Sequence, residues 1–98
     1  MWTLQLRDLD ELSLGSRLLG AGGGGDILAA RLVLHQALED HGPAEVAGLD
    51  ELPDDAQVAA VAVIGTPTVL TEKVPGVDQL LGVIAALERR LGRPLDAV

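Results

Sequence analysis

The spacing of apolar residues along the chain predicts three amphipathic helices. Apolar side chains recur every three or four residues in three stretches, which is the period of an α-helix with one buried face. The predicted helices cover residues 9–19, 27–40 and 77–91. Asp8 and Glu11 form an Asp-x-x-Glu start signal for the first helix. Gly42 and Gly92 follow the second and third helices, where glycine commonly ends a helix.

Four other stretches have the composition of β-strands. Trp2–Leu6 alternates between apolar and polar residues, and Ala44–Leu49 is a second short candidate. Val58–Ile64 is apolar without alternation, which is typical of a strand covered on both faces in a parallel sheet. Leu95–Val98 begins a fourth strand. Together with the helices, these strands predict an α/β fold in which helices flank a mostly parallel sheet.

The sequence ends where its last predicted strand begins. Because a domain rarely ends at such a point, we expect residues 1–98 to form a single α/β domain or the N-terminal fragment of a larger two-domain protein. A strand at the edge of a sheet exposes unpaired backbone groups. We therefore also expect self-association, or a partner chain, to cover this C-terminal strand edge.

Composition and charge exclude several classes of function. The 98 residues carry a formal net charge of −8, which opposes contact with nucleic-acid phosphates. The chain has no cysteine, which excludes disulfides and thiolate chemistry. It has neither a signal peptide pattern nor an apolar run long enough to span a membrane, so we expect a cytoplasmic protein without a membrane partner. The acidic stretch 50–55 lacks the ligand spacing of a calcium loop, and no metal site is predicted.

A run of glycines between the first two predicted helices is the first candidate site. Gly22, Gly23, Gly24 and Gly25 precede Asp26, at the start of the second helix. Four consecutive glycines cost conformational entropy on folding, so they must serve a positive φ, a close approach of another segment, or a ligand on the bare amides. A helix N-terminus adds unpaired N–H groups to such a loop. The alternatives are a tight structural turn for the glycines and a capping role for Asp26.

A second candidate cluster follows the predicted Val58–Ile64 strand. In open α/β sheets, ligands bind beyond the carboxyl ends of strands. Thr66, Thr68, Glu72 and Lys73 are expected at that position. An ordinary strand-to-helix turn with Glu72 and Lys73 in solvent explains the same residues equally well.

The glycine run also matches the pattern of a dinucleotide-binding loop. Gly20, Gly22 and Gly25 satisfy G-x-G-x-x-G. That pattern normally follows a strand, with a ribose-binding acid about 20 residues later. Here a helix is predicted before the glycines, and Asp50 comes 25 residues after Gly25. Dinucleotide binding is therefore an alternative function.

Three segments together resemble a known family. Leu19-Gly-Ala-Gly-Gly-Gly-Gly-Asp26 is similar to the Leu-Gly-Thr-Gly-Gly-Gly-Gly-Asp signature of the S-methyl-thiohydantoin desulfurase-like proteins, which are associated with hydantoinase/oxoprolinase systems. Asp50–Asp55 resembles the family's Asp-Glu-Leu-Pro-Asp-Asp segment, and Ile64–Val69 with Glu72-Lys73 resembles its Gly-Ala-Pro-Thr-Val…Glu-Lys segment. The sequence departs from the family at Ala21, where the family has Thr, and at Thr66, where the family has Ala.

The resemblance implies the N-terminal α/β part of an enzyme that removes a sulfur substituent from a hydantoin-like cyclic ureide. It implies a small-molecule substrate and an active site that this chain contains only in part. A hydrolytic mechanism would use Asp26 or Glu72 as the base, Lys73 as a positive charge, and the loop amides as donors. The substrate-binding residues would be Gly22, Gly23, Gly24, Gly25, Thr66 and Thr68. The residues identify no cofactor, and a non-catalytic binding or assembly module is the other alternative.

Overall fold

The computed structural model describes residues 1–21, 27–63 and 77–98. Within them, the chain forms β1 (Trp2–Leu4), α1 (Leu9–Gly20), α2 (Ile27–His41), β2 (Ala44–Val46) and α3 (Val77–Leu91). Short 3₁₀ turns cover Leu6–Asp8 and Leu49–Glu51. The three predicted helices are confirmed, each to within one residue at both ends. The predicted strands at residues 2–6 and 44–49 are present but shorter.

The prediction of a mostly parallel sheet flanked by helices is wrong. β1 and β2 form a two-stranded antiparallel sheet, in which Trp2 faces Val46 and Leu4 faces Ala44. In the predicted strand at residues 58–64, Val58 makes a single parallel bridge with Ala97, and residues 59–63 are not in a strand. An apolar run becomes a central strand only when strands pair with both of its edges. The described residues supply a bridge at one edge only.

A small aliphatic core joins the sheet to the first two helices. Leu4 of β1, Leu9 of α1 and Leu38 of α2 are buried, and Leu34 and Val46 pack against them. Leu34 and Leu38 belong to the predicted apolar face of the second helix. The antiparallel pair β1–β2 and the helix pair α1–α2 therefore bury their apolar faces against each other.

The apolar spacing within α3 predicts a buried stripe of Val77, Leu80, Leu81, Ile84, Leu87 and Leu91, and the structure covers that stripe only in part. Leu80, Ile84 and Leu87 are half-buried, whereas Leu81 and Leu91 are exposed. The period of three and four residues identified the helix correctly, but periodicity alone does not supply a surface for the stripe to pack against.

Glycines end two of the helices as predicted. Gly42 has φ +83°, and its N–H donates to the Leu38 carbonyl over 3.1 Å. Gly92 has φ +76°, and its N–H donates to the Glu88 carbonyl over 2.8 Å. Both residues adopt the left-handed conformation that a glycine tolerates best after a helix.

The start signal before α1 works differently from the prediction. The Gln5 N–H donates to the Asp8 carboxylate over 2.8 Å, which closes the 3₁₀ turn Leu6–Asp8. The Asp8 side chain makes no capping hydrogen bond to α1. Asp8 therefore stabilises the turn that leads into the helix rather than the first turn of the helix itself.

The residues after α3 return to the segment that follows β2. The Asp96 N–H donates to the Gln57 carbonyl over 2.8 Å, and the Gln57 N–H donates back to the Asp96 carboxylate over 2.8 Å. Arg93 donates to the same carboxylate and, over 3.3 Å, to the Asp55 carbonyl. The Ala59 N–H donates to the Ala97 carbonyl over 3.3 Å. These bonds tie the end of the chain to residues 55–59.

Candidate functional site

The predicted site residues lie outside the described residues, but their flanking elements are placed. Gly22, Gly23, Gly24, Gly25 and Asp26 fall between α1 and α2, and Thr66, Thr68, Glu72 and Lys73 fall between Val63 and α3. The roles assigned to these nine residues, and the expected approach of the two loops, remain predictions.

The glycine run connects two helices. Ala21 follows α1 in the left-handed conformation, with φ +47°, and α2 begins at Ile27. The prediction that a helix follows the glycine run is confirmed by the position of α2. A dinucleotide-binding loop follows a strand, whereas α1 precedes this one, so the structural context of dinucleotide binding is missing.

A groove lies between α1 and α2, next to the start of α2. Its volume is about 440 Å³. Asp10, Ser13, Leu14 and Arg17 line it from α1, and Ile27, Leu28 and Arg31 line it from α2. Because Ile27 and Leu28 are the first two residues of α2, the groove reaches the N-terminal end of this helix, which follows the glycine run in the sequence.

The charged groups of the groove differ in how they are paired. A guanidinium nitrogen of Arg31 lies 2.6 Å from a carboxylate oxygen of Asp10, which links the two helices. The Ser13 hydroxyl donates to the Leu9 carbonyl of its own helix over 2.6 Å. Arg17 makes no ion pair or hydrogen bond within the described part of the chain. Within the described residues it therefore brings an unpaired guanidinium to a groove that Leu14, Ile27 and Leu28 line with aliphatic side chains, an arrangement that fits a small, partly polar ligand.

The groove was missed from the sequence because it depends on a contact between helices. Arg31, His35 and Glu39 recur every four residues along α2, which predicts a surface row with mild pairing. His35 and Glu39 lie 3.6 Å apart, as that row predicts. Arg31 instead pairs with Asp10, 21 residues earlier, and no local spacing indicates that contact.

Two carboxylates outside the groove have lowered pKa values. A hydrogen bond from the N-terminal ammonium of Met1 lowers the pKa of Glu51, and the Gly48 N–H contributes in the same direction. The Gln57 N–H lowers the pKa of Asp96, with a further contribution from Arg93. Both groups make local structural contacts and lie away from the groove residues along the chain.

The described residues contain no obvious metal site or membrane segment. No group of three or more His, Cys, Asp or Glu residues in them is arranged to hold a metal ion. In the same residues, no helix combines the length and apolarity needed to cross a bilayer.

Comparison with known proteins gives one positive result. A family model described as "S-Me-THD-like, N-terminal domain" matches residues 7–98. The match includes the glycine run, the acidic stretch 50–55 and the loop before α3. Searches of curated proteins and of solved structures found no match.

Proposed function

Because the chain belongs to the family of S-Me-THD-like N-terminal domains, we propose that it supplies the N-terminal part of an enzyme acting on a hydantoin-like cyclic ureide. The observation that carries this proposal is the family match over residues 7–98, which spans both predicted loops. The substrate is a small five-membered ring with a sulfur substituent, and the reaction removes that substituent.

The chemistry follows from a hydrolytic mechanism. Water attacks the ring carbon that bears sulfur, a C–O bond forms and the C–S bond breaks. The thiol leaves with one proton of the water, and the other proton ends on the ring nitrogen, as the C=N bond of the ring is replaced by a carbonyl and an N–H. Asp26 or Glu72 accepts a proton from the attacking water, and Lys73 and the glycine-loop amides stabilise the charge that develops on the ring.

The groove between α1 and α2 supports binding of a small ring near the start of α2. Its volume of about 440 Å³ is within the range of small-molecule sites, which are mostly apolar with a few polar groups. Leu14, Ile27 and Leu28 provide the apolar wall, and Arg17 provides hydrogen-bond donors. A ring held in this groove lies beside the start of α2, which the glycine run and Asp26 immediately precede.

The substitution Asp26→Asn tests the proposal in the intact enzyme that contains this domain. Asn caps a helix as well as Asp does, so the urea midpoint of unfolding is expected to stay unchanged. Asn cannot accept the proton, so thiol release from an S-methyl-thiohydantoin is expected to fall by about 100-fold or more. The measurement is thiol release under turnover conditions, together with urea denaturation of the same preparation.

Asp78→Asn is the matched control, because Asp78 is also an acid in the first turn of a helix. It is expected to leave turnover unchanged. Equal turnover in the wild-type enzyme and Asp26→Asn would reduce Asp26 to a helix cap. Absence of thiol release from the wild-type enzyme with any thiohydantoin would contradict the proposed function itself.

A further inference from the structure

An uncharged segment after the acidic stretch has, among residues 1–21, 27–63 and 77–98, strand partners on one side only. Residues 58–63, Val-Ala-Ala-Val-Ala-Val, contain no polar side chain. Val58, Ala60 and Ala62 are exposed, whereas Ala59 and Val61 between them are half-buried, and Val63 at the end of the segment is exposed. From residue 58 to residue 62 this alternation is the pattern of a β-strand with one covered face.

The backbone hydrogen bonds of this segment are mostly unmade. The Ala59 N–H donates to Ala97, on the edge where Val58 and Ala97 form their parallel bridge. Within the described parts of the chain, Ala60, Val61, Ala62 and Val63 make no backbone hydrogen bond. In a strand, alternate residues direct their N–H and C=O groups to opposite edges. Val58, Ala60 and Ala62 therefore share the edge opposite Ala97, and no residue that the structure describes pairs with that edge.

We propose that a second copy of this chain pairs with the open edge, antiparallel to residues 58–63 and centred on Ala60. In this register Ala60 faces Ala60 of the second copy. Val58 then faces Ala62, and Ala59 faces Val61, so each of these valines meets an alanine across the pair. Large side chains opposite small ones pack without crowding on both faces of the two-stranded pair.

The distribution of charge favours a second copy in this orientation. The chain carries a net charge of −8, which opposes self-association at most surfaces, but residues 58–63 are uncharged. Asp54 and Asp55 lie just before the segment. A parallel arrangement would place these acids beside their copies, whereas the antiparallel arrangement puts them at opposite ends of the interface. The segment also carries none of the charged residues or prolines that protect edge strands from pairing.

A charge-swap experiment on the 98-residue chain tests this register. Ala60 is the position that faces its own copy, so Ala60→Lys or Ala60→Glu places like charges directly opposite each other. Sedimentation velocity over a range of concentrations is expected to show dimers for the wild-type chain and monomers for each variant. An equimolar mixture of the two variants is expected to restore the dimer, because Lys then faces Glu.

Ala30→Lys is the matched control, since Ala30 is exposed on α2, and it is expected to dimerise like the wild-type chain. Circular dichroism of every variant checks that the helices are retained. A wild-type chain that stays monomeric at all concentrations would overturn the proposal. A dimer that survives Ala60→Lys but is lost in Leu18→Lys would also overturn it, because the exposed leucines of α1 would then form the interface.

Discussion

At the scale of single residues, Asp96 joins two distant parts of the chain. Its carboxylate accepts hydrogen bonds from the Gln57 N–H, 39 residues away, and from Arg93. The hydrogen bond from Gln57 is the main reason that the pKa of Asp96 is lowered from its usual value near 3.8. The ionised form is therefore stabilised more by the folded chain than by the unfolded chain.

This interaction predicts a pH-dependent effect of Asp96→Asn. Because the folded-state pKa is the lower one, the carboxylate contributes stability above pH 3.8 and loses it as the pH falls through the folded pKa. Asp96→Asn is expected to lower the urea midpoint at pH 7, and the difference from the wild-type chain is expected to shrink below pH 3.8. Asp54→Asn is the control, since the exposed Asp54 side chain makes no hydrogen bond or ion pair within the described residues. A midpoint difference independent of pH would contradict this account.

For the candidate site, residue patterns predict the family but not the contacts between distant residues. The glycine run and Glu72-Lys73 are recognisable from the sequence because their order resembles that of a family, and the family is confirmed. The pairing of Arg31 with Asp10 has no local signal, because it depends on how α1 and α2 pack together. The same is true of Glu51 in the acidic stretch 50–55, which pairs with the N-terminal ammonium of Met1, 50 residues earlier.

At the scale of elements, two glycines near α3 have opposite roles. Gly82 lies inside the helix, and a methyl group added there meets no atom within 4 Å. Gly92 follows the helix with φ +76°, a conformation that L-residues rarely adopt. The same substitution is therefore expected to change stability in opposite directions at the two positions.

Gly82→Ala is expected to stabilise the chain by roughly 1 kcal/mol, because alanine loses less backbone entropy than glycine in a helix. Gly92→Ala is expected to destabilise it by about 1–2 kcal/mol, the cost of the left-handed conformation for a residue with a Cβ. Thermal and urea denaturation of both variants measure these changes. Stabilisation by both substitutions would show that the turn after α3 does not need a positive φ.

At the scale of the whole molecule, stability depends on few residues. Leu9 has an exposed fraction of 1 % and contacts the sheet and α2 through the core, whereas Leu81 on α3 has an exposed fraction of 57 %. Leu9→Ala is expected to reduce the free energy of unfolding by about 2–5 kcal/mol, because it removes buried methyl groups and leaves a cavity. Leu81→Ala is expected to change it by less than about 0.5 kcal/mol. Urea denaturation compares the two, and equal losses would show that α3 packs in the same core.

Sequence by itself determined the helices, their glycine ends and the family. Helical periodicity, helix stop signals and an ordered set of motifs are all local properties of a chain. Tertiary structure decided which segments pair as strands. The apolar run at residues 58–63 has the composition of a central parallel strand, but a strand also needs neighbours at its edges. Among the described residues, Ala97 alone pairs with it, while β1 and β2 pair with each other. Which segments meet depends on packing between distant parts of the chain, and the spacing of apolar residues within one segment carries no information about that.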